Sequence, residues 1–266
     1  MQISTSSWVK YVNGLYNIDK AAGDKVGKFV QYFKNIEGVA FDYGNEQHLK
    51  KLIDYAYGIS TQYGEAAAAL ACEMYDEVGL ASGLFLEPAV PVDMAAYEDV
   101  AKAIKGTAKT KNTQIVISSV SRIVKLAGVD TTIKNGLRDG AEFAWIPHGD
   151  TCAFCIALAS RGWQEASPKL IRNGHAEHVH ANCDCTFAIR FNDDTTYEGY
   201  DPEKYLSMYY DAPLKEGQRA SAKNHINALR RQFYAENKEE INLQKRIAYG
   251  KRVEMLNSSA AEETEV

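Results

Sequence analysis

Long apolar runs are absent from this sequence. Its longest small-apolar stretch, AAAALAC at 66–72, falls far short of the roughly 20 residues that span a bilayer, so no membrane-inserted segment is expected. The first ten residues, MQISTSSWVK, lack both the basic start and the apolar core of a secretory leader, and the chain reads as one made in the cytosol. An excess of positive charge is missing too: 30 Lys and Arg stand against 35 Asp and Glu, a formal net charge of -5. That balance excludes uniform wrapping of nucleic acid, which needs a basic surface, and leaves room only for a local basic face. Cysteine and histidine are scarce, at five and six residues. What remains is the composition of a soluble globular protein, with 266 residues of which 45% are hydrophobic and 24% charged, enough for one large domain or two modest ones.

Apolar groups at Leu49, Leu52, Ile53, Ala56, Tyr63, Ala67, Leu70 and Met74 recur at helical spacing. They predict a long core helix over 45–78 with two glycines tolerated inside it. The prolines of LEPAVPV at 86–92 break the pattern, and Met94, Val100, Ala101 and Ile104 then predict a shorter helix. Thr113 can cap a third, whose stripe runs through Val116, Val120, Ile123 and Val124 and ends at Gly128. This half carries no catalytic or phosphate-binding pattern, so a scaffold or docking role is expected of it.

The texture changes near residue 140. AEFAWIPHGDTCAFCIALASRGW reads as a short strand, a Pro-Gly loop and a helix that Asp150 or Thr151 caps and Gly162 ends. In CDCTFAIRF, at 183–191, Cys183, Cys185, Phe187, Ile189 and Phe191 alternate with Asp184, Thr186, Ala188 and Arg190. Strict alternation predicts a strand with both cysteines on the core face. Just before it, GHAEHVHANCDC packs His175, His178, His180, Cys183 and Cys185 into 174–185. Four of the chain's five cysteines thus form two close pairs, Cys152/Cys155 and Cys183/Cys185, and in a cytosolic chain such pairs are more often metal ligands than disulfides. The fifth, Cys72, lies in the Ala-rich helix and reads as a buried small side chain.

A Cys-x-x-Cys turn facing a His-x-x-Cys-x-Cys strand start can place four soft ligands around one tetrahedral ion. Zinc takes thiolate sulfur and imidazole nitrogen and needs no redox chemistry. Cys152, Cys155, His180, Cys183 and Cys185 are five candidates for four places, and the strand's apolar face singles out Cys185 or Cys183 as the one left over. His175 and His178 flank Glu177 and are expected to hydrogen-bond around the ion without touching it. Catalytic readings fit less well. The zinc deaminase signature, His-x-Glu before Pro-Cys-x-x-Cys, would need the reverse order and a proline before Cys152. The helical His-Glu-x-x-His of metal hydrolases is absent, and so is the βαβ context of thioredoxin chemistry. A closed cage implies a folding role; a three-ligand site with bound water would instead make the chain a metal-dependent enzyme or toxin-like effector.

The stretches DGAEFAWIPHGDTCAFCIALASRGWQ, GHAEHVHANCDCTFAIRF, YDPEKYLSMYY and INLQKRIAY resemble the minor head, or head morphogenesis, proteins of tailed phages and prophages, the broad group similar to the F protein of phage Mu. The family's marker, Cys-x-x-Cys followed by His-x-x-Cys-x-Cys and a strand, is matched by Cys152, Cys155, His180, Cys183 and Cys185. The resemblance covers about residues 95–255 and none of the chain before residue 90. It implies a structural virion protein of few copies, associated with the portal or inner capsid, present in the host cytoplasm during assembly and involved in head morphogenesis or DNA delivery. Some relatives carry toxin or protease modules; no such module is visible here.

Between Leu214 and Glu254 ten Lys and Arg face five Glu, a local charge of +5, with Ile226, Leu229, Phe233, Ile241 and Ile247 on an apolar side. A helix with one apolar and one basic face suits docking on an acidic portal surface or contact with packaged DNA, as it also suits a solvated helix packed on its own domain. Residues 256–266 read as a disordered acidic tail. The whole is expected to be an α+β protein: a helical scaffold over 1–135, a zinc-stabilised module containing β-structure over 136–212, and a basic helix with its tail over 213–266.

Overall fold

The computed structural model describes residues 2–3, 5–147, 151–167, 185–197, 199–240, 242–243 and 246–247. Helix dominates, with a small antiparallel sheet, so the fold is α+β. Among the described residues no helix is long and apolar enough to cross a membrane. The chain forms two compact units, Met1–Thr151 with Arg161–Pro202 and Cys152–Ser160 with Glu203–Val266.

In the first unit three long helices pack on one another: α1 (Thr5–Gln31), α3 (Glu46–Ala81) and α5 (Thr113–Asp139). The short α2 (Phe33–Glu37) follows α1, and α4 (Tyr97–Ala108) lies against α3 and α5. Helix α3 starts where a side chain satisfies its first amides, Asn45 Oδ1 accepting from the backbone of Gln47 and His48 at 2.9 and 3.2 Å. It ends in a Schellman turn, with Gly83 at φ +73° and Leu84 N donating to Gly79 O. Leu52, Ala56, Ala68 and Val78 line its fully buried face, and each large apolar group so buried contributes about 1.5–3 kcal/mol.

Helix α5 departs from expectation at both ends. Asn112 is its cap, its side-chain oxygen accepting from Gln114 N at 2.9 Å, while the Thr113 hydroxyl pairs with the Tyr43 hydroxyl at 2.8 Å. The helix also runs through Gly128 to Asp139. Gly128 is no terminator because it marks the place where the helices touch: a Cβ there would sit 3.2 Å from the Ala67 carbonyl oxygen of α3 and 3.4 Å from Leu15 of α1. The true end is Gly140, at φ +69°, which turns the chain into β2.

Strand β2 (Glu142–Ile146) pairs antiparallel with β3 (Gln164–Glu165) and β4 (Thr186–Arg190) in the order β3-β2-β4. Glu142 lies opposite Arg190, and the two form an ion pair with Nε to Oε2 at 2.5 Å. Phe143 and Phe187 stack at 4.9 Å. Alternation predicted one buried face for β4, yet Thr186 and Ala188 are as buried as Phe187 and Ile189, since α3 and α5 also contact this strand. A second sheet joins β1 (Gln2–Ile3) in parallel to β5 (Thr196–Tyr197). Tyr197 donates to Ile189 O at 2.6 Å and packs edge-on to Trp8 at 4.7 Å; burial raises its hydroxyl well above the ordinary tyrosine range.

Between α3 and α4 the chain forms an extended strap over 84–96 whose backbone polar groups are met by side chains. Asn135 accepts from Val90 N and donates to Val90 O, both at 2.9 Å. Thr131 accepts from Val92 N, Asp76 accepts from Ala89 N, and Arg138 donates to the carbonyls of Glu87 and Pro88. Thr131, Asn135 and Arg138 are spaced four and three apart along one face of α5, so the helix grips the strap as a groove grips a peptide.

The second unit holds α6 (Ala153–Ala159), α7 (Pro202–Asp211, from Glu203 onward) and α8 (Ala222–Glu236). Ala153 and Ile156 of α6 pack with Ala212, Ala228 and Leu229, and Met208, Ile226 and Phe233 close around them.

Two expectations follow. Gly128→Val should lower the melting temperature by several degrees, because overpacking against backbone costs about 1–3 kcal/mol. Gly58→Ala, in α3 with nothing within 4 Å of the added Cβ, should raise it by about 1–4 °C. Separately, burial pushes the Asp130 carboxyl up to about 6, above the ordinary value of about 3.9. A raised carboxyl binds its proton more tightly in the folded state, so stability falls as pH rises from about 4 through 6 and stays lowered above that. Asp130→Asn should therefore raise the melting temperature at neutral pH and leave it nearly unchanged near pH 4.

Candidate metal centre

The Cys-x-x-Cys pair sits where a loop becomes α6. Cys152 is the residue before the helix, extended at φ -79° and ψ 159°, and its side chain makes no capping bond to the helix. Cys155 is the third helical residue. In this arrangement the cap and third side chains converge on the same side of the helix start, and the two sulfurs lie 3.3 Å apart. A disulfide needs about 2.05 Å, whereas two thiolates at about 2.3 Å from one tetrahedral zinc stand roughly 3.8 Å apart. The pair is therefore spaced close to what a shared ion requires.

The caps expected of Asp150 or Thr151 give way to Cys152 itself; Asp150 lies outside the described residues, and the helix ends at Ser160 with Gly162, at φ +64°, two residues further on. Cys155 is 2% exposed and Cys152 is half-buried. Cys185, 3% exposed, immediately precedes β4 in the first unit. His180 and Cys183 lie outside the described residues, as do His175, His178 and Glu177. The structure thus brings together two of the five candidate ligands. Among the described residues no three His, Cys, Asp or Glu are grouped to hold a metal, and the four described cysteines form no disulfide. Cys72, expected to be buried, is half-buried, and desolvation raises its thiol.

One histidine escaped the sequence reading. His225 of α8 is 6% exposed, with ring centroids 4.9 and 5.2 Å from Tyr209 and Tyr210, and its buried Nδ1 has no hydrogen-bond partner. Its signal was its place three and four residues before Ala228 and Leu229 on the buried stripe.

Arg231, counted among the basic docking groups, donates to Pro213 O at 3.2 Å and so helps fasten α8 to the preceding loop. Arg230 and Lys238 are exposed.

A family described as VG15 protein matches residues 2–212, a span that holds all five candidate ligands and stops before the basic segment begins. No curated protein and no solved structure matches the chain.

We propose that Cys152 and Cys155 supply two of four zinc ligands, with His180, Cys183 and Cys185 the candidates for the others. The purified, reduced protein is then expected to hold about one zinc per chain. Cys152→Ser should release it and speed proteolysis within 140–191, because thiolate ligation is coupled to folding. A folded sample without zinc would sink the site.

Proposed function

The chain belongs to the VG15 protein family, a family of phage proteins, and we propose that it is a non-enzymatic minor head protein of a tailed phage or prophage. In this reading it sits at the portal or the inner capsid of the virion and acts in head morphogenesis or DNA delivery. The supporting observation is the setting of the cysteine pair. Cys155 lies 2% exposed in a helix whose neighbouring residues form an apolar core. A metal held there would tie chain segments together, which is the work of a structural site closed by four protein ligands.

The basic C-terminal segment is the docking element in this proposal. Its charge of +5 stands against -10 for the rest of the chain, so the molecule orients against an acidic portal surface and can touch packaged DNA. Contacts between exposed charges weaken as the Debye length shrinks from about 8 Å at physiological salt to about 3 Å at 1 M.

Replacing Lys223, Arg230, Lys238 and Lys245 with Ala should lower the number of copies in assembled heads and the affinity for isolated portal, and the wild-type affinity should fall with added salt. Arg231 is left intact because of its bond to Pro213. Unchanged incorporation together with unchanged affinity would return these cations to ordinary solvated surface.

A further inference from the structure

From Leu52 to Ala101 the chain contains nine Asp and Glu and no Lys, Arg or His. The last turns of α3 present Glu73, Asp76 and Glu77 to solvent, and the strap after it presents Glu87 and Asp93. Two cations of α5 reach this region, and both are committed to strap carbonyls, Lys134 to Pro91 and Arg138 to Glu87 and Pro88.

Set into this acidic ground is an apolar projection. Phe85 is 100% exposed, Leu80 72% and Leu84 39%. Leu86 points the other way and covers Gly79, where an added Cβ would meet its Cδ1 at 2.8 Å. The backbone beneath Phe85 is fixed by the turn at Gly83 and by the grip of α5 on residues 87–92. Phe85 is thus an aromatic anchor held ready on a rigid mount, the form in which an exposed side chain loses least entropy when it is buried by a partner.

The same chain carries the complement. Past α8, Leu243 is 54% exposed and Ile247 43%, with Lys238, Glu239, Glu240 and Arg246 exposed near them; the sequence adds Lys245, Lys251 and Arg252, so residues 238–252 carry five Lys and Arg against two Glu. One surface is apolar and acidic, the other apolar and basic. We infer that the protein self-associates head to tail, the C-terminal segment of one copy covering the Phe85 projection at the end of α3 in the next. Such a contact is heterologous, so repetition closes into a ring or runs on as a filament. The inference rests on the reading of the basic segment as a docking element, and names a second copy of this chain as what it docks on.

The test is sedimentation of the full chain across a concentration series, at low salt and at 1 M salt. Wild type is expected to grow beyond monomer at low salt and to dissociate at high salt. Phe85→Ser, at a position that touches little else, should weaken association by about tenfold or more. Lys238→Glu with Arg246→Glu should be monomeric, and so should Glu77→Lys with Glu87→Lys. An equal mixture of these two reversed proteins should associate again, because each supplies the charge the other needs. Wild type that stays monomeric overturns the inference, as do reversed proteins that associate like wild type or a mixture that fails to recover. If wild type is monomeric while the Ala-substituted segment still lowers incorporation into heads, self-association fails and the docking proposal stands. Self-association with unchanged incorporation has the opposite meaning.

Discussion

At Gly128 three helices come within van der Waals reach of one another: the Ala67 carbonyl of α3 and the Leu15 side chain of α1 both lie where a side chain on α5 would begin. The contact is reinforced one layer away, where Gly14 of α1 faces Leu70 and Gly64 of α3 faces Met94 and Ala127. Glycine costs a helix about 1 kcal/mol relative to alanine, so three long helices that keep it at their crossing exchange propensity for proximity. The first unit depends on that exchange. Only with α5 close to α3 can Thr131, Asn135 and Arg138 reach the strap while Asp139 accepts from the Tyr75 hydroxyl at 2.8 Å. The Arg138 guanidinium beside Asp139 holds its carboxyl below the usual carboxylate range, so this partly exposed edge of α5 keeps its charge. From there Gly140 sends the chain into the sheet.

The same glycines explain what the sequence hid. Helices α3 and α4 could be read because their apolar stripes are continuous and their ends carry Asn and proline signals. Helix α5 was cut short at Gly128, since a glycine after an apolar stripe signals a terminus unless one knows what faces it. Helix α1 has a good stripe in Trp8, Tyr11, Leu15, Ala22 and Val26, but Gly14, Gly23 and Gly27 dilute it. Strands β2 and β4 were legible from local pattern. The pairing of β1 with β5 was not, because it joins two-residue segments from distant parts of the chain, and no local periodicity encodes such a partner.

At the cysteine cluster the split runs along similar lines. The Cys-x-x-Cys spacing across a helix start fixes the distance between Cys152 and Cys155 through helix geometry alone, so one short stretch of sequence suffices to place both sulfurs. Where Cys185 stands relative to them depends on how the chain travels between, which spacing cannot report. Charge was legible in part. Counting exposed the basic end, whereas Arg231 proved to be a fastener for its own loop, a role visible only once Pro213 is placed beside it.

The chain leaves the first unit after Thr151, lends nine residues to the second, and returns at Arg161. Helix α6 is therefore borrowed: its packing partners Ala212, Ala228 and Leu229 are made some fifty to seventy residues later. On a ribosome, the first unit is synthesised through Pro202 while Ala153 and Ile156 still lack the surface they will bury against. Until α8 emerges, those apolar side chains and the cysteine between them are open to solvent, to metal and to chaperones. The order of synthesis thus gives any ion captured by Cys152 and Cys155 a head start over the core that later closes on them.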